Sequence, residues 1–301
     1  MKSLHSIKLI LSSLLLFISF SIGAQDFQGQ AHYFSKTTID MDGWGGREMS
    51  PEMKAQIAER MKSMFEKTYI LTFNREESSY KEDEALDAPG RGGAWRGMMS
   101  SFTGGPQYKN VKEAMIIQEQ EFFGKQFLVK DELPKFEWKM GTETKQIGQY
   151  TCFKATAMKP VDELDWTNMR RRNNDNEEEK KEESVDSTAT AEVDEDDPMN
   201  EVEVPKEVEV VAWYTPQIPV NQGPGDYWGL PGLILEVSSG RTTILCSKLV
   251  LNPEEKKEIK KPNKGKEVTR QEYNETVKQK MKEMREMYGG RRGDRGRRGG
   301  N

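Results

Sequence analysis

From Phe27 to Leu251 apolar and polar residues alternate in short runs set apart by turn-forming residues, the period-two signature of half-buried strands. Strands are expected over Phe27–Ile39, Tyr69–Phe73 and Glu76–Tyr80, and within "EAMIIQEQEFF", "KQFLVKD", "FEWKMG" and "IGQYTCFKATAM". They resume at Val208–Tyr214, "LILEV" and "TTILCSKLVL", with "SSGR" as a tight turn. Pro216 and Pro219 lack donors, so the chain should leave the ladder after Tyr214 or lie at an edge.

Two stretches switch to helical spacing. Ser50 can cap, Pro51 suits the first helical position, and Ile57, Met61, Met64 and Phe65 form one stripe. Thr269 and Glu272 have capping-box spacing ahead of Tyr273, Val277, Met281, Met284 and Tyr288, and Gly289-Gly290 should end that helix. Both stripes are of the kind that packs on a sheet. The fold class expected is mainly β (α+β): a curved antiparallel sheet or open half-barrel with one or two amphipathic helices.

Composition sets the boundaries. Lys2 and Lys8, an apolar run from Leu9 to Phe20 and a small-residue exit at Ala24 describe a secretory signal peptide over residues 1–24, too short to span a bilayer. No Cys follows the run to carry a lipid, and no second long apolar run exists, so a periplasmic or secreted protein is expected. Removing that segment leaves 43 basic residues against 50 acidic, a net charge of −7. The charge is segregated. Asp175–Glu203 holds 14 acids against Lys180 and Lys181 with no aromatic residue, which reads as a disordered acidic insertion over 173–204. It divides a β-rich domain into residues 25–172 and 205–252. A linker and helix follow over 253–288, then an Arg-Gly tail over 289–301. The Gly-rich stretch 87–107, holding Trp95 and Phe102, has loop composition.

Candidate chemistry is sparse. His32 is the only histidine after residue 24, which argues against imidazole metal sites and His-activated nucleophiles. No cofactor-binding loop, zinc helix motif or nucleophile elbow is present, "DEDDP" lacks EF-hand spacing, and no cofactor is expected. The pairs Asp131/Glu132 and Asp162/Glu163 could serve a carboxylate-only hydrolase, a class ranked below a binding protein. The Arg-Gly tail resembles segments that bind single-stranded nucleic acid, but export argues against that partner. Cys152 and Cys246 permit one disulfide in an exported chain, or two separate buried thiols.

The densest local signal is "GDYWGLPGLILEV", residues 225–237. Leu230–Leu233 has the form of a β-turn. Pro231 presets the second position and Gly232 is expected to take positive φ at the third. Gly229 supplies a close approach or another unusual φ. Leu233, Leu235 and Val237 then face one side and Ile234 the other, as in a central or covered strand.

The segment "AWYTPQIPVNQGPGDYWGLPGLILEV", residues 212–237, resembles the defining segment of the GLPGLI family of exported bacterial proteins typical of Bacteroidetes. "YILTFNREESSY", "KQFLVKDELPKFEWKM" and "IGQYTCFKATA" match in kind. The resemblance implies an exported β-rich protein without an assigned activity, some members lying near outer-membrane TonB-dependent systems. The function expected is non-enzymatic binding of an apolar small molecule, or of a segment of an envelope protein, between sheet and helix. Trp138, Trp213, Tyr227, Trp228 and Leu230 are the candidate contacts, and an accessory role in an outer-membrane system is the second expectation.

Overall fold

The computed structural model describes residues 27–38, 50–83, 104–162, 164, 170–171, 202–203 and 205–293. The expected signal peptide, Trp95, Phe102, Glu163, residues 173–201 of the acidic insertion and the tail beyond Gly293 lie outside these, as do the side chains of Met61, Met64 and Tyr288.

Twelve strands form one open sheet. In chain order they are β1 (Gly29–Thr37), β2 (Glu66–Phe73), β3 (Glu77–Glu82), β4 (Gln107–Asn110), β5 (Met115–Phe122), β6 (Lys125–Glu132), β7 (Lys139–Ile147), β8 (Tyr150–Pro160), β11 (Glu207–Thr215), β12 (Leu233–Ser239), β13 (Thr242–Leu251) and β14 (Lys266–Val268). The remaining two, β9 (Arg170–Arg171) and β10 (Val202–Glu203), pair only with each other, so the expected insertion carries a two-residue strand near its end. The sheet order is β14-β6-β5-β4-β3-β2-β1-β13-β12-β11-β8-β7, antiparallel except for β14 on β6. This is the mainly β, open-sheet architecture that the alternation predicts.

Register assigns the faces. Tyr33 opposes Tyr69, Leu71 opposes Tyr80, Ser78 opposes Lys109, and Gln107 opposes Gln118. Side chains on that face of β1, β2, β4, β5 and β6 converge with others from β8, β11, β12 and β13 on a single cavity, which requires the sheet to curl into a cup. One end of the cup is filled. Ala31, Tyr33, Leu71 and Phe73 join Ile218, Val220, Leu233 and Leu235 in a cluster in which each is at most 3% exposed. Burial of apolar area on this scale is the main stabilising term, roughly 25 cal/mol per Å².

Among the described residues two helices complete the cup. Helix α1 (Pro51–Phe65) starts where Ser50 Oγ accepts from the Met53 amide, and its Phe65 is buried. Helix α2 (Arg270–Gly293) starts with the reciprocal capping box: the Thr269 amide donates to Glu272 Oε2 at 2.9 Å and the Glu272 amide to Thr269 Oγ1 at 3.2 Å. Tyr273 and Val277 are buried against Phe122, Phe127, Val129 and Val268, as the stripe predicts. The helix continues to Gly293, past the expected stop at Gly289-Gly290.

Candidate functional site

The chain leaves the ladder after Thr215 and re-enters it at Leu233. The intervening segment crosses the cup. Lys109 Nζ of β4 donates to the carbonyls of Gly223 at 3.0 Å, Gly225 at 3.0 Å and Tyr227 at 2.8 Å. Four strands separate β4 from β12 in the sheet, so these bonds tie opposite walls together. An ammonium has one donor for each carbonyl. Burial pushes Lys109 down to about 7, against the pull of Asp226.

The local geometry of the motif departs from the expected turn. The Leu233 amide donates to Ile218 O at 2.9 Å, so it does not close a bond across 230–233. Gly232 lacks positive φ. It is needed because a Cβ there would lie 2.2 Å from Thr215 O. Gly229 carries the unusual backbone instead, at φ +92°. Leu230, Leu233 and Ile234 are each 0% exposed, so the strand is central and covered as expected.

The candidate aromatic residues divide. Trp138 donates through Nε1 to Trp228 O at 2.8 Å, and Trp228 Nε1 donates to Pro134 O at 2.7 Å. Phe136 stacks on Trp138 with centroids 5.1 Å apart and lies 5.7 Å from Tyr227. Leu230 packs into the same cluster. Trp213 stands apart with the Ala31 cluster, under the ammonium of Lys145 at 5.3 Å. Both Trp N–H groups at the motif are therefore used by backbone carbonyls, and these rings are framework. Of the five expected ligand contacts only Tyr227 lines the cavity. The disulfide is not formed: Cys152 and Cys246 are free thiols, the first buried and the second half-buried. Burial pushes the two up to about 11 and about 12.

The cavity measures about 1110 Å³ and lies between the inner face of the sheet and α2. Its wall is mixed, with apolar side chains such as Phe65, Ile116, Leu164 and Val208 interleaved with charged and amide groups. Lys159 pairs with Asp226 at 2.7 Å and sits 4.9 Å over the Tyr227 ring. Burial opposes ionisation of Asp226, yet Lys159 and Lys109 hold its carboxyl below the usual range. Lys67 pairs with Glu82 at 2.7 Å. From α2, Arg270 donates its guanidinium to Gln118 Oε1 at 2.7 Å and its amide to Asp131 Oδ2 at 3.1 Å. Asn274 Nδ2 donates to Asp162 Oδ1 at 2.9 Å. Among the described residues no group of three or more His, Cys, Asp or Glu is placed to hold a metal ion, and no helix is long and apolar enough to cross a membrane.

Two atoms on this wall have no partner among the described residues: Gln120 Oε1 on β5 and Asn274 Oδ1 on α2. A buried acceptor left unpaired costs about 1–3 kcal/mol. Ser78, Tyr80 and Gln222 also hold unpartnered atoms, but they do not line the cavity. The sequence reading missed Gln120 and Asn274. One cue was present in "QEQE": uncharged amides at 118 and 120 alternate with carboxylates at 119 and 121.

No curated protein matches the chain. Two solved structures of PNGF-II, in the C2 and P21 space groups, are similar to it at 13% identity and a TM-score of 0.43. These matches cover 83% and 82% of this chain but 32% of PNGF-II, so the chain spans about a third of that protein's length. A Bacteroidetes-associated family described as a protein of unknown function (Porph_ging) has a model that matches residues 138–236, from Trp138 of the aromatic cluster to Glu236 within β12.

Proposed function

We propose that this chain is an exported, non-enzymatic binding protein of the bacterial cell envelope, of the GLPGLI type, that holds a polar ligand between its curled sheet and α2. The observation that carries this reading is the pair of unpartnered amide oxygens on the wall of a large cavity. Folding alone gains nothing from burying an acceptor without a donor, whereas a bound ligand supplies the donor. The charged and amide groups set into that mixed wall favour a polar ligand over the apolar class that the aromatic motif suggests. The signal-like segment ahead of Gln25 supports export.

A thermal-shift screen of the purified protein against chemically sorted small molecules tests this. A polar class should raise the melting point in proportion to the logarithm of its concentration. A response confined to apolar compounds, or no response at all, contradicts it. Asp131, Asp162 and Asp226 line the same cavity, which favours carboxylate hydrolysis as a second reading. Conversion of the bound compound, abolished by Asp131→Asn or Asp162→Asn, would select that reading instead.

A further inference from the structure

We infer that the ligand is neutral and rich in hydroxyl groups, of the chemical class of a short oligosaccharide; this rests on the cavity being a binding site. Three classes of occupant fit poorly. A cation needs several converging carboxylates, but Asp226 is held by Lys159, Asp162 by Asn274, Asp131 by the Arg270 amide and Glu275 by Gln271, which leaves the exposed Glu132. An anion needs a cationic head to spare. Lys67 is tied to Glu82 and Lys159 to Asp226, Lys278 is engaged as well, and an anion at the Arg270 guanidinium, which bonds the neutral Gln118, would meet the Asp131 carboxylate bound to the amide of the same residue. An apolar occupant would seal Gln120 Oε1 and Asn274 Oδ1 away from any donor and keep their cost in the complex.

What the wall leaves over is amide hydrogen bonding. Gln120 is 9% exposed and its carbonyl oxygen has no partner, while Asn274 presents a second unpartnered oxygen from the facing helix. Both residues line the cavity. Terminal amide torsions are broad, so the Gln120 oxygen reaches the cavity by a small turn, whereas the bond from Asn274 Nδ2 to Asp162 Oδ1 limits the same turn at Asn274. Both oxygens accept only, and a ligand must offer donors to both walls. A hydroxyl donates and accepts at once, so a molecule carrying several satisfies spaced amides without bringing charge. The volume of about 1110 Å³ exceeds what a single small metabolite needs, which favours more than one sugar ring.

The test is isothermal titration of the purified protein with maltotriose, cellotriose, xylotriose and N,N′-diacetylchitobiose. Palmitate serves as the apolar probe, spermidine and inorganic phosphate as the charged ones. At least one saccharide should bind saturably, and Gln120→Met and Asn274→Leu should each weaken it about tenfold, the loss of one ligand hydrogen bond. The melting temperature of Gln120→Met should not fall, which separates lost binding from lost folding; Asn274→Leu also loses its bond to Asp162 Oδ1 and should melt slightly lower. Binding of palmitate, spermidine or phosphate with no saccharide bound overturns this inference and leaves a binding site of other chemistry. No binding by any probe overturns both this inference and the binding reading on which it rests. Saccharide binding unchanged in Gln120→Met and Asn274→Leu places the sugar elsewhere and overturns it too.

Discussion

The aromatic cluster at the motif and the amide wall beneath α2 belong to one cup and invert the usual expectation. Trp138, Trp228 and Tyr227 look like a binding patch in sequence. In the fold the two indole N–H groups are satisfied by Trp228 O and Pro134 O, and Tyr227 is 7% exposed. Gln120 and Asn274 look like ordinary surface residues. In the fold they keep unpartnered oxygens on a cavity wall. Unused hydrogen-bonding capacity, more than aromatic richness, marks the place prepared for something else.

The largest expected effect tests the framework half of this contrast. Gly232→Val puts a Cβ about 2.2 Å from Thr215 O, where only backbone could yield. A loss of 4 kcal/mol or more, of the order seen for severe core strain, is expected in urea unfolding. A loss below about 1 kcal/mol would show that the segment can move away from Thr215.

Lys109→Met should follow, at about 3 kcal/mol, because three carbonyls lose their donor while the buried charge is also removed. This residue adds a pH signature. Its folded value of about 7 lies below the unfolded lysine value of about 10.4, so between pH 7 and 9 the unfolded chain holds a proton the folded chain has released. Stability contributed by this group therefore rises with pH there, by at most about 1.4 kcal/mol per unit. From about pH 8 upward the buried thiols, raised to about 11 and about 12, oppose that rise and then reverse it, since unfolded thiols ionise first, at about 8.5. Urea midpoints should climb in the parent from pH 7 to pH 8 and stay flat in Lys109→Met over the same interval.

Smaller effects sharpen the contrast itself. Trp228→Phe removes one indole donor and should cost about 1 kcal/mol while leaving ligand affinity unchanged. Gln120→Met removes an unpaired acceptor at similar volume. It should leave thermal stability equal or raise it by about 1 kcal/mol, with ligand affinity reduced.

Much of the architecture was legible because it is local. Alternation located most of the strands but not β4 or β14, and the Thr269/Glu272 box located α2 within a residue. Pro216 and Pro219 foretold the exit from β11. The role of each glycine in the motif was not legible, because a turn template assumes that Leu233 bonds back to Leu230. Its amide pairs with Ile218 instead, a partner fixed by the path of the whole 216–232 segment. The cavity was hidden for a similar reason. Gln118 and Gln120 occupy alternating positions that suit a solvent-facing side, and they become interior only once β5 curls under a helix some 150 residues later in the chain. Cys152 and Cys246 lie in the expected strands, but strand assignment alone does not say whether two thiols meet in bonding geometry.

The central claim is that the ligand is held by the amide wall and that the aromatic motif is framework. The most direct measurement is the ligand affinity of Gln120→Met and Trp228→Phe side by side, each with its melting temperature. The account predicts that Gln120→Met loses about tenfold in affinity with no loss of stability, and that Trp228→Phe loses stability with affinity intact. Affinity lost in Trp228→Phe and kept in Gln120→Met would contradict it.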